Sequence, residues 1–150
     1  MTPNQIMSFF CILGLVSIEA ALVRADNGEG VWMSDSDLNR QFRGAEIDGH
    51  YASGRTFSEA YHTDGRLAYR ERNRETRGRW SIEAGSFCTI YDSDASGGCY
   101  RVRRIGRNCF EFYFVARTEE QVRQDPDRPR WTARGWVKSE AATCADGASV

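Results

Sequence analysis

Short segments of alternating apolar and polar residues recur from residue 45 to residue 138, and turn-forming residues separate them. Apolar side chains at every second position predict half-buried β-strands, and most of the turns are short enough for hairpins. The predicted strands comprise residues 45–52, 54–62, 66–72, 77–83, 86–92, 98–104, 109–116 and 130–138. They predict an all-β fold, an antiparallel up-and-down barrel of about eight strands, with a β-sandwich as the alternative. Closure into a barrel would remove the unpaired edges of an open sheet.

The alternation also predicts which side chains share a face of the sheet. In residues 109–116, three phenylalanines fall on one face, whereas Cys109, Glu111 and Tyr113 fall on the other. Aromatic stripes of this kind are typical of a packed interior.

One segment before the strands has helical periodicity instead. Within residues 34–42, Leu38 and Phe42 form an apolar pair spaced i, i+4, and Ser34 or Ser36 can cap the first turn. We therefore predict a short N-terminal helix.

The first 25 residues have several features of a secretory signal peptide. An apolar run at 6–16 is too short to span a bilayer comfortably, and Val23 with Ala25 supplies small residues for a cleavage site. The run lacks a preceding basic residue and Glu19 lies close behind it, so an uncleaved anchor or a buried helix is the alternative.

We expect a signal peptide at residues 1–25 and a single barrel domain at residues 26–150, a length that suits one domain. No other apolar run approaches membrane-spanning length, so we expect no transmembrane segment in the mature chain. The expected location is periplasmic or secreted.

Four cysteines remain when Cys11 is assigned to the signal peptide, namely Cys88, Cys99, Cys109 and Cys144. An even number of cysteines in a small exported chain predicts two disulfide bonds, for which three connectivities exist. No C-x-x-C spacing occurs, which argues against a zinc ribbon or a thioredoxin-like redox site.

The stretch YDSDASGGCYRVRR, residues 91–104, begins like a calcium-binding loop. Position twelve of such a loop would be Arg103, where an EF-hand requires a glutamate, so an EF-hand is excluded. A weaker, irregular calcium site at Asp92 and Asp94 stays as an alternative. Tight-turn chemistry explains the same Asp, Ser and Gly residues more simply.

A hairpin centred on residues 93–94 sets Cys88 directly opposite Cys99 on the neighbouring strand. Cross-strand cysteines at this separation can form a disulfide bond. We therefore predict the pairs Cys88–Cys99 and Cys109–Cys144, the second of which would hold the C-terminal tail.

Residues that could carry catalysis are sparse. His50 and His62 are not paired by the predicted hairpin, and no G-x-S-x-G motif occurs. Carboxylates such as Glu59, Glu83 and Glu111 are plentiful, but the sequence does not place two of them across a substrate. We predict a non-enzymatic protein without a metal or cofactor, and a hydrolase without a recognisable motif is an alternative.

Arginine is the most unusual feature of the composition, because Lys138 is the only other basic residue apart from the two histidines. Ten arginines lie between residues 66 and 107, where they outnumber the acidic residues. Guanidinium groups suit bidentate binding of carboxylate, phosphate or sulfate. The residues predicted to contact a ligand are Arg79, Arg101, Arg103 and Arg104.

The arginines suggest an exported protein that binds an anionic envelope component, such as an acidic polysaccharide or lipid headgroups, or a small ligand. A solvated arginine face without a binding role is the alternative explanation, and nucleic acid is not expected as a partner outside the cytoplasm.

The segment 117–128 is polar and contains proline, which predicts a surface loop. If that loop binds a partner protein, the chain would instead be an inhibitor or interaction protein.

Several short motifs lie within residues 36–115. They are Gly54-Arg55-Thr56, Tyr61 followed by Asp64-Gly65, Gly78-Arg79-Trp80-Ser81-Ile82, and Cys88 with Cys99 around a turn. Together they resemble a family of short exported proteobacterial envelope proteins with a domain of unknown function. The resemblance implies a small disulfide-bearing β-barrel and an envelope location, and it supplies no catalytic residues. The expected barrel is lipocalin-like in architecture, although the Gly-x-Trp motif lies mid-chain rather than in a first strand.

Overall fold

The computed structural model describes residues 30–116, 118–124 and 129–144. The signal peptide predicted for residues 1–25 lies outside these ranges. Within them, no helix is long and apolar enough to cross a membrane.

Nine strands and two short helices make up the described chain. They are β1 (Val31–Trp32), α1 (Asp35–Phe42), β2 (Glu46–Tyr51), β3 (Thr56–Tyr61), β4 (Arg66–Glu71), β5 (Arg74–Glu83), β6 (Ser86–Tyr91), β7 (Asp94–Gly106), β8 (Cys109–Phe114), α2 (Glu119–Gln124) and β9 (Ala133–Val137). The segment that the sequence predicts as a surface loop, 117–128, therefore contains the helix α2.

Strands β2 to β9 form a closed antiparallel barrel of eight strands. Each pairs with its neighbour in sequence, and β9 pairs with β2 to close the ring. This confirms the predicted up-and-down barrel rather than the sandwich. Strand β1, which the sequence pattern does not predict, adds to β7 through the pairs Val31 with Arg104 and Trp32 with Arg103.

Helix α1 closes one end of the barrel, which we call the base. Ser34 caps the helix, and its hydroxyl and the Asp37 carboxylate form a capping box. The two apolar side chains, Leu38 and Phe42, are fully buried. The Phe42 ring enters the barrel, with its centroid 5.0 Å from that of Phe87 and 5.3 Å from that of Phe110.

The barrel interior follows the predicted alternation of the strands. On β8, Phe110 and Phe112 are buried inside, and Phe114 is partly exposed at the end opposite α1. We call that end the mouth. The apolar cluster at the base and middle of the barrel consists of Met33, Leu38, Phe42, Ile47, Phe57, Tyr61, Leu67, Trp80, Phe87, Val102, Phe110, Phe112 and Ala133.

Both predicted disulfide bonds are present, Cys88–Cys99 and Cys109–Cys144. The predicted position of Cys88 opposite Cys99 is also confirmed. The turn itself lies at residues 92–93 rather than 93–94, because a bulge between Ile90 and Tyr91 shifts the register and pairs Tyr91 with Asp94. The first disulfide bond joins β6 to β7 on the outer face, and the second ties the C-terminal tail to the start of β8.

A buried asparagine holds the same tail by hydrogen bonds. The Asn108 side-chain amide donates to the carbonyl oxygens of Val137, Glu140 and Ala141, and its Oδ1 accepts from the Val137 amide. The tail through Cys144 is therefore fixed against the base of the barrel by both covalent and polar contacts.

Candidate functional site

A pocket opens inside the barrel at the mouth, between the interior faces of six strands. Its volume is about 380 Å³ with the open entrance included, and its interior of about 30 Å³ has room for roughly two water molecules. The lining residues are Tyr51, Phe57, Glu59, Tyr61, Phe87, Thr89, Tyr91, Tyr100, Phe112, Thr132 and Ala133. Because Phe42 fills the base, the mouth is the entrance to this pocket.

Glu59 is the buried carboxyl group of the pocket. The alternation of β3 points Phe57, Glu59 and Tyr61 into the barrel, and Glu59 is only 6% exposed. Its two carboxylate oxygens accept hydrogen bonds from the hydroxyls of Tyr61 and Tyr91. A carboxyl group therefore lies within the barrel core, held by one phenol from its own strand and one from β6.

Burial sets the protonation of this cluster. Desolvation raises the pKa of Glu59 above its ordinary value, although the hydrogen bonds from Tyr61 and Tyr91 act in the opposite direction. Burial and the nearby carboxylate likewise raise the pKa of both phenols. The two tyrosines are therefore neutral donors at physiological pH.

A second set of polar side chains connects the pocket with the rim of the barrel. The Tyr51 and Tyr69 hydroxyl oxygens are 3.1 Å apart, and Tyr69 donates to Glu71 at 2.6 Å. Glu71 in turn forms an ion pair with Arg55 at 3.1 Å. Burial is the main cause that raises the pKa of Tyr69 to about 12. This arrangement fixes the aromatic rings of one side of the mouth.

Tyr100 completes the opposite side of the pocket from β7. Its ring packs against Phe112 and Phe114, with centroid distances of 6.4 and 5.5 Å. Within the described ranges, its hydroxyl has no hydrogen-bond partner. The phenol is therefore available to a molecule in the pocket.

The other two carboxylates that the sequence singles out do not lie in the pocket. Among the described lining residues, Glu59 is the only one with a carboxyl group, and the others present mainly hydroxyls and aromatic rings. Glu83 lies at the base end of β5, and Glu111 faces outward on β8.

Two of the four predicted ligand-binding arginines meet on the outer face, beside β1. The guanidinium carbons of Arg101 and Arg103 lie 5.2 and 6.0 Å from the Trp32 ring centroid. Tyr113 contacts the same ring edge-on at 5.0 Å between centroids, and Arg103 Nε donates to the Gly30 carbonyl oxygen at 2.9 Å. Trp32 remains 46% exposed.

The structure places the other two arginines elsewhere. Arg104 lies at the base, where it donates to the Gln41 side-chain oxygen of α1 at 3.0 Å. Arg79 lies on β5 directly opposite Arg66 and is exposed. The four arginines therefore do not form a single site, and a role of each in ligand binding stays a prediction.

An ion pair that sequence reasoning did not single out lies beside the arginine–tryptophan contact. Arg134 and Glu111 are 2.8 Å apart, both side chains are largely buried, and Tyr113 donates to Glu111 at 2.6 Å. The Arg134 guanidinium also lies over the Trp131 ring, 4.6 Å from its centroid. This cluster packs the outer face of β8 and β9.

The segment predicted as a surface or binding loop joins β8 to β9 at the mouth end. Within it, helix α2 has an internal ion pair between Arg123 and Glu120 at 2.7 Å. Residues 117 and 125–128 lie outside the described ranges. The role of this segment in partner binding therefore stays a prediction.

Sequence reasoning named Glu59 only as one of several carboxylates, and it missed Tyr91 and Tyr100. One signal in the sequence could have identified Glu59: it alternates with Phe57 and Tyr61 along the strand, which places all three on the inward face.

In comparisons with family models, with curated proteins and with solved structures, the chain has no match.

Proposed function

We propose that this protein is an exported, non-enzymatic binding protein that holds a small molecule in the mouth of its barrel. The observation that carries the proposal is Glu59, a buried carboxyl group at the floor of an open pocket whose walls present hydroxyls. Burying a carboxyl group costs free energy unless its hydrogen bonds compensate. A barrel selected for stability alone would place an apolar side chain at this position.

Export is supported by two independent features. The first 25 residues have the composition of a signal peptide, and two disulfide bonds form between the four remaining cysteines. Disulfide bonds persist in oxidising compartments, so we propose a periplasmic or secreted location.

Protein-observed NMR with a library of small fragments tests the pocket. We expect chemical-shift changes to cluster on Tyr91, Tyr100 and Thr132, because these residues line the entrance. The substitution Thr89→Phe should abolish these changes, since its ring would fill the floor of the pocket. Ser81→Phe, on the exposed outer face of β5, is the matched control and should bind as the wild type does. Fragment binding that persists unchanged in a folded Thr89→Phe variant would refute the pocket.

A second candidate function is the binding of an acidic polysaccharide on the outer face. Within the described part of the chain, neither Arg101 nor Arg103 forms an ion pair with a carboxylate, and both flank the exposed ring of Trp32. Guanidinium groups bind carboxylates, and an indole ring offers a flat surface on which a sugar can stack.

Affinity electrophoresis in a gel that contains polygalacturonate tests this second function. Retardation of the wild type should be lost when Arg101 and Arg103 are both replaced by glutamate, because the charge at Trp32 is then reversed. Replacement of Arg66 and Arg79 by glutamate changes the net charge equally on β4 and β5 and serves as the control. Equal loss in both double variants would indicate nonspecific charge attraction and would exclude a site at Trp32.

A further inference from the structure

The charge of the pocket restricts what can enter it. Glu59 is the only carboxyl group in the described lining, and no arginine, lysine or histidine accompanies it there. An anionic ligand would meet a carboxyl group and aromatic faces, both of which disfavour negative charge. A cation would meet a counter-charge and the electron-rich faces of phenol and phenyl rings, which attract cations.

Hydrogen-bond capacity remains at the pocket floor. A carboxylate offers about four acceptor positions, and the described donors to Glu59 are the hydroxyls of Tyr61 and Tyr91. The Tyr100 hydroxyl, on the opposite wall, has no partner within the described ranges. A ligand with several N–H donors on one atom could therefore bond to Glu59 and Tyr100 together.

The size of the pocket limits the group that can reach Glu59. Its interior of about 30 Å³ has room for roughly two water molecules. That space suits two non-hydrogen atoms, as in an aminomethyl group. A trimethylammonium group is too large for it and has no N–H donor.

We propose that the pocket binds a small molecule through a primary aminomethyl group, with the ammonium on Glu59 and Tyr100 and the rest of the molecule in the mouth. This inference rests on the proposed function and assigns the chemical class of its ligand. The ammonium compensates the buried carboxylate, which otherwise loses hydration without gaining a counter-charge.

Isothermal titration with three matched probes tests the assignment. Benzylamine has the aminomethyl group, benzyl alcohol replaces the ammonium by a neutral hydroxyl, and benzyltrimethylammonium keeps the charge without N–H donors. We expect benzylamine to bind at least about tenfold more tightly than either of the others, as a charged hydrogen bond outweighs a neutral one. Glu59→Gln should remove this preference, whereas Glu83→Gln, an exposed carboxyl group on β5, should preserve it.

A pH series with the wild type provides a second test that needs no variant. The titratable groups that face Glu59 are the phenols of Tyr51, Tyr61, Tyr69, Tyr91 and Tyr100, and the pKa of each is raised. Beyond Tyr69 lies the Glu71–Arg55 ion pair. When Glu59 is protonated, its carboxyl group must release a proton before the resulting carboxylate can bind the ammonium. Benzylamine affinity should therefore rise with pH while Glu59 ionises, by no more than about tenfold per unit, and benzyl alcohol affinity should not change.

The outcomes separate this inference from the proposed function. If benzyl alcohol binds as tightly as benzylamine and the pH dependence is absent, the amine assignment is wrong and the binding pocket stands. If none of the three probes binds and the fragment library shifts no pocket residue, both proposals are wrong. Tighter binding of benzyltrimethylammonium than of benzylamine would overturn the role of the N–H donors.

Discussion

Replacing Phe42 with alanine should lower the free energy of unfolding by about 3–5 kcal/mol, the cost typical of deleting a buried phenyl ring. The ring is fully buried at the base and contacts Phe87, Phe110 and Phe112. Its removal would leave a cavity that rigid strands on every side cannot collapse to fill. Urea unfolding followed by tryptophan fluorescence measures the change.

The control for this substitution is Asn39→Ala, at an exposed position of the same helix. It should change the free energy of unfolding by no more than about 0.5 kcal/mol. A loss of less than about 1 kcal/mol in Phe42→Ala would mean that α1 is not the plug of the barrel. The pocket would then be open at both ends, and the mouth would not be its sole entrance.

Removal of the Cys109–Cys144 disulfide bond is expected to have a comparable effect. The two cysteines are 35 residues apart, and the chain-entropy estimate for a loop of this length is about 4 kcal/mol. The double substitution to alanine should therefore lower the midpoint of urea unfolding substantially. The Asn108 hydrogen bonds still hold the tail in the folded state, so most of the loss should arise in the unfolded chain.

The second disulfide bond provides the matched comparison. Cys88 and Cys99 are 11 residues apart, and the same estimate for the shorter loop is about 3 kcal/mol. Replacing this pair with alanine should thus cost less than replacing Cys109 and Cys144. The reverse order would show that native packing around Cys88, rather than loop length, determines the contribution.

The fold was predictable because its signals are local. Alternation within each strand and turn residues between strands suffice to identify eight strands, and a meander barrel only needs neighbours in sequence to pair. Strand β1 was not predictable, because Val31 and Trp32 become a strand only through tertiary pairing with Arg103 and Arg104. Strand β7 also begins at Asp94, earlier than predicted.

The candidate site was less predictable because it depends on distant residues. The inward position of Glu59 follows from the alternation of β3, but its contact with Tyr91 depends on how the strands tilt around the barrel. The sequence also did not show that the predicted ligand-binding arginines would lie apart from one another. Arg101 and Arg103 share a face because they are two residues apart, whereas alternation directs Arg104 to the other face of β7.

The pairing of β2 with β9, which closes the barrel, can form only after β9, the last strand, has been synthesised. Every other contact of the barrel joins strands that are neighbours in sequence, so those hairpins can form as the chain emerges, N-terminal end first. Until Val137 is synthesised, β2 and β8 each present an unpaired edge, and such edges invite pairing with other chains. Cys109 likewise remains a free thiol until Cys144 has been synthesised. A chain that ends before its last strand would therefore be exposed to both aggregation and incorrect disulfide bonding.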